Sequence, residues 1–153
     1  MVYALGGAFQ FSARLRRRRP GWHRAAGRVL VVAGLAVAGS ALWMTLFYPQ
    51  KEGTGDLLFL LRLLFSSGMV ASIVLGFAAI RRRDFAGHRA WMIRAYALAL
   101  AAGTQAFTVG FGEALFGTGE LRGDLYLGVA WVLNLAVAEW AIRRPRVLVG
   151  ARR

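Results

Sequence analysis

The sequence predicts an all-α protein. It reads as a bundle of four transmembrane helices, arranged as two tandem hairpins behind a short N-terminal interfacial segment. Three observations carry this. The 153 residues are 58% hydrophobic and only 18% charged, where a soluble domain has about 45–50% apolar residues, and the mean hydropathy is +0.49. The apolar residues fall into four runs, each close to the ~20 residues that cross a hydrocarbon core of roughly 30 Å. The basic residues collect at alternate ends of those runs. Backbone groups in lipid must be paired within their own segment, so such runs become helices. A chain of this length is one domain, spanning 1–153.

Met1–Ala13 is mildly apolar, too short to span and poorly matched to a signal peptide, so an interfacial helix is expected there. Together with the arginines that follow, 1–28 forms a basic cytoplasmic or interfacial segment. The helices are expected at about 29–48, 57–80, 91–112 and 125–142, and 143–153 is a basic tail. Arg62 interrupts the second apolar run and is expected to snorkel outward. Asn134 and Glu139 interrupt the fourth.

Orientation follows from charge. Of the 20 Lys and Arg residues, all but Lys51, Arg62 and Arg122 precede the first helix, lie between helices two and three, or follow helix four. Basic loops stay on the cytoplasmic side during insertion. Both termini are therefore expected in the cytoplasm, with anionic lipid head groups as the partner of the basic face. The run Arg16–Arg19 would bind phosphates in isolation, but beside a membrane helix a lipid partner is nearer than a nucleic acid, so no nucleic acid is expected.

The chain repeats itself. His23-Arg24-Ala25 follows an arginine triplet and precedes a helix, and so does His88-Arg89-Ala90. Gly53-Thr54-Gly55-Asp56 follows the first helix, and Gly117-Thr118-Gly119-Glu120 the third. Two parallel copies of a hairpin related by an axis along the membrane normal would give this order. Gly68, Ser72 and Gly76 on helix two, and Ala95, Ala99 and Gly103 on helix three, have the four-residue spacing that lets backbones approach closely.

Few residues could carry chemistry. With no cysteine, disulfides, thiolate-held metals and thiol catalysis are excluded, and neither a metal site nor a catalytic residue is expected. His23 and His88 are the only histidines. They lie at equivalent points of the repeat and on one level of the membrane, as two axial ligands of a b-type haem must, but each precedes its uncharged run by several residues, so an interfacial position beside lipid phosphate accounts for them better. Arg28, Arg94, Asn134 and Glu139 form an expected polar cluster. An intramembrane carboxylate is costly unless paired, so Glu139 is expected to contact Arg94, with Arg28 as the second choice. Gln105 and Asn134 are positioned for an interhelical hydrogen bond. The acids Glu113, Glu120 and Asp124 read as a solvated loop that could weakly hold a cation.

Three segments carry a resemblance: Pro20-Gly21-Trp22-His23-Arg24-Ala25-Ala26-Gly27-Arg28, His88-Arg89-Ala90-Trp91-Met92-Ile93-Arg94-Ala95-Tyr96-Ala97, and Asn134-Leu135-Ala136-Val137-Ala138-Glu139-Trp140. The chain resembles the bacterial family of predicted membrane proteins called domain of unknown function 2306. The resemblance implies a bacterial inner-membrane protein, brings no established activity, and falls on His23, Arg28, His88, Arg94, Asn134 and Glu139. Family members carry a further apolar helix upstream, shortened here to Met1–Ala13.

Three functional readings follow. The protein is a non-catalytic accessory or small transport-type subunit needing no cofactor, or a b-type haem electron-transfer protein using His23 and His88, or a proton- or solute-coupled carrier using Glu139. Four helices enclose little volume, so a transport role implies a homo-oligomer or a membrane partner subunit.

Overall fold

A computed structural model describes residues 6–7, 18–49 and 55–144. Among these, all regular structure is helical: α1 (Pro20–Phe47), α2 (Asp56–Arg81), α3 (Phe85–Phe116) and α4 (Glu120–Arg143). Every helix but α2 begins well before its apolar run. The runs measure hydrocarbon thickness, whereas backbone hydrogen bonding continues through the interfacial turns wherever a start signal permits. Pro20 opens α1, where its missing N–H costs nothing. Asp84 caps α3 by accepting from Gly87 N at 2.8 Å. The N-terminal interfacial segment lies outside the described residues except for Gly6 and Gly7, which are helical and rest against Leu30 of α1 and Tyr96 of α3.

α1, α2 and α4 are each long and apolar enough to cross a membrane. α3 is the longest helix at 32 residues, but Thr104, Gln105 and Thr108 dilute its uncharged stretch. It packs between its neighbours α2 and α4, so Thr104 and Gln105 find partners on α4, while Thr108 donates to the Gln105 carbonyl of its own helix.

The interior is built from small residues. Gly34, Ala38, Gly76, Ala79, Ala95, Ala101, Gly128, Ala130 and Ala138 are buried. Large side chains such as Val32, Phe77, Phe107 and Val137 point outward, each more than half exposed. A water-soluble bundle would bury these; an outward apolar surface with a small-residue interior is what lipid favours. Leu98 on α3 closes on Met69 and Ile73 of α2 and Ala38 of α1. α2 and α4 run parallel, and Phe65 stacks on Trp131 with ring centroids 4.9 Å apart.

The small-residue stripe on α2 works as its spacing predicts. Gly76 is buried, and a Cβ there would lie 3.2 Å from Trp91 Cβ and collide with Met92 Cε. Gly76→Val is expected to cost about 1–3 kcal/mol of stability through overpacking, read as a lowered unfolding midpoint in detergent. The stripe on α3 divides: Ala95 is buried in the core, Ala99 packs against it, and Gly103 faces open space.

The repeat landmarks occupy matching positions. His23 and His88 are each the fourth residue of their helix, Gly55 and Gly119 are N-caps, and Arg82 and Arg144 are C-caps. The side-chain partners differ between the copies, as the polar contacts below show.

Candidate functional site

The hairpin topology puts the starts of α1 and α3 and the ends of α2 and α4 at one end of the bundle. Eleven described arginines collect there with only Asp84 and Glu139, while the opposite end holds Arg62 and Arg122 with Asp56, Glu113, Glu120 and Asp124. The bundle is therefore strongly basic at one end and mildly acidic at the other.

At the basic end α3 and α4 are joined by an ion pair. Arg94 Nε donates to Glu139 Oε1 at 2.5 Å, and a second guanidinium nitrogen donates to Oε2 at 3.1 Å. This fork engages both carboxylate oxygens, the strongest arrangement open to these groups. Arg143 approaches Oε2 at 3.8 Å from the next turn of α4, and the Arg94 guanidinium lies 4.6 Å from the Trp91 ring centroid. The expected polar cluster is otherwise divided. Arg28 is exposed and makes no ion pair among the described residues.

Asn134 lies more than a turn of α4 away from Glu139. Its amide donates to Thr104 Oγ1 at 3.0 Å. The expected Gln105–Asn134 bond is replaced, because one residue along a helix is a 100° rotation and it is Thr104 that faces Asn134. Gln105 donates instead to the Leu127 carbonyl at 3.4 Å.

His88 is tied to the neighbouring helix. Its Nδ1 lies 2.8 Å from the Gly76 carbonyl oxygen. A carbonyl only accepts, so Nδ1 carries a proton, and in the neutral ring the lone pair is on Nε2. The missing side chain of Gly76 is what lets α3 approach so closely. His23 is half-buried on α1. No group of three or more metal-ligating side chains occurs among the described residues.

The acidic end corrects the reading of Asp124 as a loop residue in solvent. Asp124 sits inside α4 and is 1% exposed. Its Oδ2 accepts from Gly55 N at 3.1 Å and from Leu58 N at 3.0 Å. One helix thus supplies the N-terminal cap of another. Gly55 is needed for this approach, since a Cβ would meet Asp124 Oδ2 and Glu120 Oε1 at 2.8 Å each. The signal lay in the sequence: Asp124 continues the stripe Gly128, Trp131, Leu135 and Ala138, whose alternating three- and four-residue steps mark the inward face of α4. Nearby, Arg122 and Tyr126 close the α3–α4 turn by donating to the Phe116 and Gly117 carbonyls. Gly117 adopts a φ of 78°, which favours glycine.

The pattern of an apolar exterior, a small-residue interior and polar groups paired between helices is that of a membrane bundle, and the family comparison agrees. The family model described as "Predicted membrane protein (DUF2306)" matches residues 1–142. The chain belongs to this family. No curated protein and no solved structure shows a match to the chain. The match covers α1, α2 and α3, and α4 to its penultimate residue, so the ion pair, His88 and the Asp124 cap all lie within the part that defines DUF2306.

Proposed function

We propose that this DUF2306 protein is a non-catalytic accessory or small transport-type subunit of a bacterial inner membrane, with both termini in the cytoplasm and its basic end against anionic head groups. The observation that carries the reading is the Arg94–Glu139 fork. A carboxylate that carries protons or substrate must leave its partner in each cycle, whereas both oxygens of Glu139 are held in a fork by an arginine on another helix. Its role in this reading is to fasten α4 to α3. The orientation rests on the concentration of arginines at one end. A cytoplasm-dependent reporter fused after Arg153 is expected to be active; activity of a periplasm-dependent reporter there overturns the topology. Glu139→Gln in proteoliposomes is expected to alter stability with no loss of a proton or solute flux. A normally folded Glu139→Gln protein that loses such a flux replaces this reading with that of a carrier.

A second reading is favoured by one contact. The His88 Nδ1–H bond to the Gly76 carbonyl orients the ring and leaves Nε2 for a metal, the arrangement usual for ligating histidines. His88 with His23, at the matching helical position, would then hold haem b, which supplies one-electron transfer when bound. Protein purified from haem-replete cells would show a Soret band that disappears in His88→Ala. A featureless visible spectrum rejects this reading.

A further inference from the structure

The last turn of α4 carries more than the ion pair. Ala136, Glu139, Trp140, Arg143 and Arg144 line an open groove at the basic end. The Arg144 guanidinium is stacked on the Trp140 ring, 3.5 Å from its centroid. The stacking holds the guanidinium plane and leaves its N–H edge available for an anion. Arg143 is 80% exposed, and the carboxylate it approaches is already bound through both oxygens by Arg94. The groove therefore sets Arg143 and Arg144 against one carboxylate that Arg94 already neutralises, and carries a net positive charge. Its inner end is apolar. Ala136 lines it one turn before Trp140, and exposed Val132 and Val129 continue the same helical face toward the middle of α4.

A positive head region continuous with an outward apolar strip fits one class of ligand, an amphipathic anion. We propose that this groove binds a single anionic phospholipid, its phosphate on the guanidinium groups of Arg143 and Arg144 and an acyl chain along the Ala136–Val132 face. Charge complementarity favours an anionic over a zwitterionic lipid, and guanidinium groups suit phosphate oxygens through paired N–H donors. Trp140 acts as a positioning residue, fixing Arg144 for the head group. The inference rests on the reading above that the basic end meets anionic head groups, and it adds a defined site to that general attraction.

Native mass spectrometry of the full chain in detergent tests it, with phosphatidylglycerol, phosphatidylcholine and inorganic phosphate as probes. One phosphatidylglycerol is expected to stay bound per chain in preference to phosphatidylcholine. The double variant Arg143→Gln/Arg144→Gln should weaken that binding about tenfold or more, given the strength of basic residues at a charged membrane surface. Arg144→Lys and Trp140→Leu, which keep the fold's interior intact, should each weaken it partly. Arg81→Gln/Arg82→Gln, at the same end but outside the groove, should leave it nearly unchanged. Equal weakening by the two double variants overturns the site while leaving general attraction to anionic lipid in place. Equal retention of phosphatidylcholine overturns both. Inorganic phosphate that displaces phosphatidylglycerol at comparable concentration shows a bare anion site and overturns the lipid assignment.

Discussion

Glu139→Ala is expected to destabilise the bundle by about 1–3 kcal/mol, because it takes both acceptor oxygens away from the partly buried Arg94 guanidinium. The wild-type pair is 26% and 33% exposed on its two side chains, so solvent at the basic end keeps the loss below that of a fully buried pair. Arg143 does not replace the lost partner, since it is itself a cation. The mirror change Arg94→Ala should be less severe, because Arg143 lies 3.8 Å from Glu139 Oε2 and can take over part of the pairing. Arg94→Ala/Glu139→Ala should cost less than the sum of the two single changes, since no charge is left uncompensated. Chemical unfolding of the four proteins in detergent closes a double-mutant cycle. A double variant as unstable as the sum of its parts would show that Arg94 and Glu139 are not coupled.

Asp124→Ala should have an effect of similar kind at the opposite end. The substitution removes the acceptor from two backbone donors, Gly55 N and Leu58 N, at a place where the side chain is 1% exposed. Each buried donor left unpaired costs about 1–3 kcal/mol, so a total of roughly 2–4 kcal/mol is expected, allowing for water reaching one of them. Asp124→Asn keeps an acceptor oxygen but loses the charge that complements the α2 N-terminus, and should lie between. The local signature is faster amide exchange at Gly55 and Leu58. Unchanged exchange at those two amides in Asp124→Ala would show that the cap does not hold α2.

The two ends of the bundle show why some contacts were legible in the sequence and others were not. Glu139 is a carboxylate in an apolar run, and the energy of such a group is dominated by one demand, a nearby cation. Arg94 at comparable depth on helix three answers it, so sequence depth alone was enough. Asn134 makes a weaker and less selective demand that any hydrogen-bonding neighbour can satisfy. Thr104 and Gln105 lie at almost the same depth, and only the rotation of α3 about its axis decides between them. Asp124 reads as a loop residue because it stands beside glycines and charges, while its partners are backbone amides of α2, which have no side-chain signature.

By itself the sequence determined the membrane setting, the four helices, the hairpin order and the charge difference between the ends. These follow from quantities that sum along the chain: apolar run length against bilayer thickness, and the count of arginines on alternate sides. The tertiary structure alone decided which neighbours meet. Helix rotation and crossing distance select Thr104 over Gln105, bring the α2 backbone within reach of Asp124, seat the His88 ring on the Gly76 carbonyl, and stack Arg144 on Trp140. A rotation of 100° separates adjacent residues on a helix, so contacts of this kind depend on packing that no single helix's composition encodes.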